Sequence, residues 1–137
     1  MNRILGIDYG GARIGIAVSD PLGIIASEVC VLQNINNEEV LANLKEIIDY
    51  YKISKIVLGL PLNMNDTEGF QAEIVREFGN LLTTTFNLEV IYVDERKSSV
   101  KAETILKELK VDVKTIRKQS DKKAASIILQ DYLDYHQ

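Results

Sequence analysis

The chain has 137 residues, 46% hydrophobic and 26% charged, the size and balance of one ordinary globular domain with a real core. One cysteine, Cys30, and one histidine, His136, exclude an intramolecular disulfide and weigh against a serine triad, a cysteine–histidine pair or a zinc site, so any chemistry falls to carboxylates, lysines and hydroxyls. The formal net charge of −4 weighs weakly against a nucleic-acid partner, no apolar run approaches a membrane span, and MNRILGIDYG lacks the features of a signal peptide; a cytoplasmic location is expected.

Residues 3–9 read as a strand, Gly10-Gly11 as a hairpin turn and residues 13–19 as the returning strand. After Pro21-Leu22-Gly23 a third strand runs through about Ile24 to Leu32, with Cys30 as a small core residue. The period then changes. Asn36 or Asn37 caps a helix whose Val40, Leu41, Leu44, Ile47, Ile48 and Tyr51 share one face, with Glu38 and Glu39 at its positive end. Lys55 to Leu60 is a buried strand stopped by Pro61, and a polar loop, Asn63 to Gly69, follows. The next helix covers about Phe70 to Thr85, and Leu88 to Val93 is a fifth strand ending at Asp94-Glu95. Ser98 or Ser99 caps a third helix through Leu109. A basic segment, Asp112 to Gln119, leads to a last helix opened by Asp121 and running to about Tyr135. This order, a meander followed by β-α-β crossovers, predicts one α/β domain over residues 1–137. Its mixed five-stranded sheet, antiparallel then parallel, carries helices on both faces.

Charge is unevenly distributed. Residues 1–95 carry 6 basic and 14 acidic side chains, whereas residues 96–123 carry 10 basic and 4 acidic ones. A basic stretch on an acidic body can follow a phosphate backbone whatever the overall charge; the plainer alternative is a solvated helix face with a lysine-rich loop.

Three acids stand out by position. Asp8 lies late in an apolar strand, and Glu95 follows the carboxyl end of a parallel one, where ligands bind in α/β sheets. Asp121 is followed at three, four and seven residues by Ala124, Ala125 and Ile128, which puts it on the packed side of its helix. Each has a plainer explanation: a turn acid for Asp8, a surface ion-pair cluster for Asp94-Glu95-Arg96, a helix N-terminal charge for Asp121. If the three converge, they form an oxygen donor set suited to Mg²⁺ or Mn²⁺. Two such ions about 4 Å apart activate water and stabilise the leaving oxygen of a phosphodiester.

Taken together these segments resemble the YqgF family, also called RuvX, described both as Holliday junction resolvases and as nucleases of pre-16S ribosomal RNA. The likeness runs from Leu5 to Leu133. It rests on Gly6-Ile-Asp-Tyr-Gly-Gly-Ala-Arg-Ile-Gly-Ile-Ala-Val-Ser-Asp20, on Gly59-Leu-Pro-Leu-Asn-Met64, on Asp94-Glu-Arg96, and on Asp121 with Ala124-Ala125 and Ile128-Leu-Gln130. The resemblance implies an RNase H-like fold related to the resolvase RuvC. It also implies an acidic triad, Asp8, Glu95 and Asp121, that binds metal and is catalytic, and places Arg13 and Arg96 near substrate phosphate. Lys118 and Lys122 from the basic stretch join them as candidate nucleic-acid contacts. Lys97-Ser98, Asp66 and Lys122-Lys123 depart from the family pattern without touching the triad.

The function expected is a metal-dependent endonuclease with two Mg²⁺ or Mn²⁺ ions. It would act on the 5′ end of pre-16S ribosomal RNA or, alternatively, as a resolvase on branched DNA. The partners are nucleic acid and ribosomal particles, with no membrane; cutting both strands of a symmetric junction would favour a homodimer. Two other classes compete. An actin-like or sugar-kinase-like ATPase is suggested by the Asp8-Tyr9-Gly10 turn but needs a second domain. A non-catalytic nucleic-acid-binding ribosome-assembly factor would use the basic stretch alone.

Overall fold

A computed structural model describes residues 3–62 and 67–94, and the backbone of 113–135 with side chains from Ala124 onward. The described elements are β1 (Arg3–Tyr9), β2 (Arg13–Ser19), β3 (Ala26–Gln33), α1 (Asn37–Tyr51), β4 (Ile53–Leu60), α2 (Phe70–Phe86), β5 (Glu89–Asp94) and α3 (Val113–Tyr135). The expected helix from Ser98 or Ser99 to Leu109 lies outside the described residues.

The strands form one sheet in the order β3-β2-β1-β4-β5. β1 pairs antiparallel with β2, and β2 with β3; β4 and β5 add parallel to β1. The meander followed by two crossovers is therefore present as expected. Alternation along each strand divides the side chains between two cores. Leu5, Ile7, Ile14, Ile16, Ile56 and Leu58 point to one face and meet Val40, Leu44 and Ile48 of α1 and Val75, Phe78 and Leu82 of α2. Ile4, Ala17, Val57 and Val93 point to the other and meet Ala125, Ile128, Leu129, Tyr132 and Leu133 of α3. Among the described residues, no helix is long and apolar enough to cross a membrane.

Local chemistry sets the element ends. Asn36 caps α1, its side chain accepting from the Glu39 amide at 2.8 Å. β3 begins two residues later than expected because the Asp20 carboxylate accepts from the amides of Ile24 (2.7 Å) and Ile25 (3.0 Å), holding them in the turn. The Gln130 side chain of α3 then bonds the same segment, accepting from Ala26 N at 2.9 Å and donating to the Ile24 carbonyl at 2.8 Å. α3 departs most from expectation: it starts at Val113, not near Asp121. Val113 to Ser120 contains no glycine or proline, and its Lys, Arg and Gln are good helix formers, so the helix extends through the segment read as a basic linker. Asp121 is accordingly well inside a helix and is not a helix N-terminal charge.

Candidate active site at the carboxyl rim of the sheet

β1, β4 and β5 are parallel, so their carboxyl ends share one rim, where Leu60 stands opposite Asp94 in the register. Asp8 is the penultimate residue of β1, half-buried, and opposite Gly15 of β2. Since Ile4 faces α3, alternation carries Gly6 and Asp8 to that same face.

Gly6 determines how closely α3 approaches. A Cβ at this position would lie 2.7 Å from Leu129 Cβ and 3.2 Å from the Ala125 carbonyl oxygen, so the helix crosses β1 here with no room for a side chain. The direction of the helix follows from its other end. Tyr132 Oη is 3.3 Å from Lys55 Nζ, and Lys55 pairs with Ile4 at the start of β1. α3 thus runs antiparallel to β1. Two residues onward from Gly6 is Asp8; one turn back from Ala125 is residue 121. The strand step is about 6.6 Å and the helix step about 6 Å, both toward the carboxyl rim.

Arg13, the first residue of β2, is exposed at the same rim. Glu95 and Arg96 lie outside the described residues. So do the side chains of Lys118, Asp121 and Lys122, which occupy positions along the backbone of α3.

Several rim contacts have no counterpart in the sequence reading. Asn34 fixes the β1–β2 hairpin, its amide donating to the Ala12 carbonyl at 2.9 Å and its side chain to the Gly10 carbonyl at 2.8 Å. Tyr9 stacks on Phe78 with ring centroids 4.3 Å apart, tying the end of β1 to α2. The chain beyond β4 turns back through a bridge between Leu62 and Glu68. Glu68 takes both arms of Arg76, one at 2.9 Å, and the guanidinium lies 4.7 Å from the Tyr92 ring centre. The Arg76 hydrogen bond holds the Glu68 carboxyl below its ordinary pKa, while desolvation raises that of the Tyr92 phenol. Tyr92 can lie flat on α2 because position 79 is glycine; a Cβ there would overlap the hydroxyl. The polar residues of 67–69 are the one sequence signal for this cluster.

A family model described as "RuvX: Holliday junction resolvase" matches residues 2–135. The chain belongs to the RuvX family. A relative from Endomicrobium trichonymphae, named "Putative pre-16S rRNA nuclease", is 46% identical over 98% of this chain and 96% of its own length. One of the same name from Clostridium botulinum is 42% identical over 96% of each. Among solved structures, Thermus thermophilus RuvC in complex with a Holliday junction superposes with a TM-score of 0.58 over 99% of this RuvX chain and 97% of its own, at 14% identity. The fowlpox virus Holliday junction resolvase gives 0.53 over 96% and 98%, at 13% identity. These likenesses establish the RNase H-like fold.

Proposed function

We propose that this RuvX chain is a cytoplasmic, divalent-metal-dependent endonuclease that hydrolyses phosphodiester bonds at the 5′ end of pre-16S ribosomal RNA. Asp8, Glu95 and Asp121 are its metal ligands, and Arg13, Arg96, Lys118 and Lys122 its phosphate contacts. The observation that carries this reading is the contact of Gly6 with Leu129 and Ala125, from which Asp8 and residue 121 are reached by matched steps toward one rim. The donor chemistry agrees with it: Asp8 is a half-buried carboxylate near the end of an apolar strand, and carboxylate oxygens suit Mg²⁺ or Mn²⁺. When bound, such ions supply an activated water and neutralise charge on the leaving oxygen. The chain's own part is to hold Asp8 rigidly at the end of β1, through the Tyr9–Phe78 stack and the Asn34-fixed hairpin, and to present the Arg13 guanidinium to phosphate. The names of the relatives support precursor ribosomal RNA as substrate; ribosomal particles would be the setting in which that RNA is met.

A second reading, cleavage of branched DNA, is favoured by the family description; cutting both strands of a symmetric junction would call for a homodimer. Side-by-side incubation with precursor RNA and a synthetic four-way junction, with and without Mg²⁺ or Mn²⁺, separates the two. Asp8→Asn is expected to lower cleavage by on the order of 1,000-fold or more, with an unchanged circular dichroism spectrum. Full activity in folded Asp8→Asn protein would refute the assignment.

A further inference from the structure

Gly6 sets how deeply α3 sits on β1, and the apolar side chains around it resist separation, but neither contact is directional. Directional bonds come from two polar side chains. Gln130 uses its whole amide: the oxygen accepts from Ala26 N at 2.9 Å, and the nitrogen donates to the Ile24 carbonyl at 2.8 Å and to Asp134 Oδ1 at 3.0 Å. Two residues on, Tyr132 Oη accepts from Lys55 Nζ at 3.3 Å. Positions two apart on a helix point about 160° away from each other. These two reach opposite sides, Gln130 to the start of β3 and Tyr132 to β4, with β2 and β1 between them. Such a pair of tethers holds the helix against turning about its axis.

Residue 121 belongs to the same continuous helix, eleven residues before Tyr132, which is three turns and about 20° around it. The angle at which the tethers hold Tyr132 is therefore the angle at which α3 presents position 121 to β1. A side-chain tip roughly 6 Å from the helix axis moves about 2 Å when the helix turns by about 20°. Mg²⁺ tolerates little of that, because it takes oxygen ligands at about 2.1 Å in a near-octahedral array. Ca²⁺ is more forgiving, accepting roughly six to eight oxygens in flexible geometry.

We propose that Gln130 is a positioning residue for the candidate metal site: its amide sets the rotation of α3, and through it how Asp121 meets Asp8, from the opposite end of the sheet. This inference rests on the reading of Asp8 and Asp121 as metal ligands, and its test tells the two apart. Mg²⁺ and Ca²⁺ affinities are measured by calorimetry in the absence of nucleic acid. Gln130→Leu, which keeps most of the bulk and loses all three bonds, should weaken Mg²⁺ binding on the order of 10-fold and Ca²⁺ binding much less. Gln130→Glu still accepts from Ala26 but cannot donate to Ile24 and is repelled by Asp134, so it should show the same selective loss. Tyr132→Phe, which keeps the ring and removes the other tether, should show it in smaller degree. Leu58→Ala is the control: it destabilises the opposite face of the sheet and should leave Mg²⁺ affinity per folded molecule unchanged. Unchanged Mg²⁺ affinity in the Gln130 variants, equal losses for the two ions, or the same loss in Leu58→Ala overturns the proposal. Binding that disappears in Asp121→Asn but persists in the Gln130 variants rejects the positioning role alone. No Mg²⁺ binding by the wild-type chain, or binding that survives Asp121→Asn, rejects the ligand reading and the positioning role with it.

Discussion

The two faces of the sheet are packed in different ways. Toward α1 and α2 the contacts are between large aliphatic side chains; Leu5, Ile7, Ile14, Ile16, Leu44, Ile56, Leu58 and Leu82 are all fully buried. Toward α3 the strands contribute smaller residues, Gly6 and Ala17 among them, and the helix backbone comes nearly into contact with β1. The first face stabilises by volume, the second by proximity. Only the second carries Asp8. On the proposed assignment, in which α3 and β1 each contribute a metal ligand, the helix has to be located closely, and a glycine at the crossing point does so with little tolerance.

Substitutions on the two faces should therefore separate stability from activity. Leu58→Ala, in the thick core, should cost about 2–5 kcal/mol of unfolding free energy. Well below its melting temperature, the folded fraction should keep nearly full cleavage activity per molecule. Gly6→Ala should cost less, about 1–3 kcal/mol, because the added methyl must push Leu129 and the Ala125 carbonyl away. Yet it should reduce kcat at least tenfold, since the shift alters the spacing between β1 and α3. Equal activity losses in the two variants, measured per folded molecule, would show that the two faces do not divide the work in this way.

A smaller effect concerns acid stability. The amides of Ile25 and Ile24 hold the Asp20 carboxyl below its ordinary range, and Arg76 does the same for Glu68. A carboxyl with a folded pKa depressed below its unfolded value adds stability above the unfolded pKa, and loses it as pH falls through the folded one. Both lie at the surface, so the contribution is modest and Glu68's is screened by salt. Asp20→Asn with Glu68→Gln should flatten the acid limb of the stability curve below about pH 4 without moving the pH dependence of cleavage, as followed by urea titration across that range.

How much of this is legible in the sequence depends on the range of the interaction. The β1–β2 hairpin and the buried face of α1 follow from spacing within a few residues, and the structure has them where the spacing puts them; of the two caps the spacing allows, Asn36 and Asn37, it uses Asn36. Asp8 and Arg13 can be placed at the rim because strand alternation and crossover rules reach that far. The start of α3 is a different case: a dense run of charge suggests a loop, although lysine, arginine and glutamine suit a helix well. Asn34 and Gln130 give no sign of their structural role. Their bonds reach backbone groups 24 and 104 residues away, and a single polar side chain paired across such distances leaves no periodic trace. Glu68 with Arg76 and Tyr92 belongs to the same class.

The Gln130 amide has a consequence beyond fixing a turn. β3 is an edge strand, and its apolar flank, with Ile24 and Ile25 beside it, would invite another chain to add a strand there and start aggregation. By occupying the Ala26 amide and the Ile24 carbonyl, the side chain of Gln130 imitates a neighbouring strand for the length of one residue pair and closes the edge beside the exposed Ile24 and Ile25. The protein thereby guards its solubility with a residue from the helix that packs over the candidate active site.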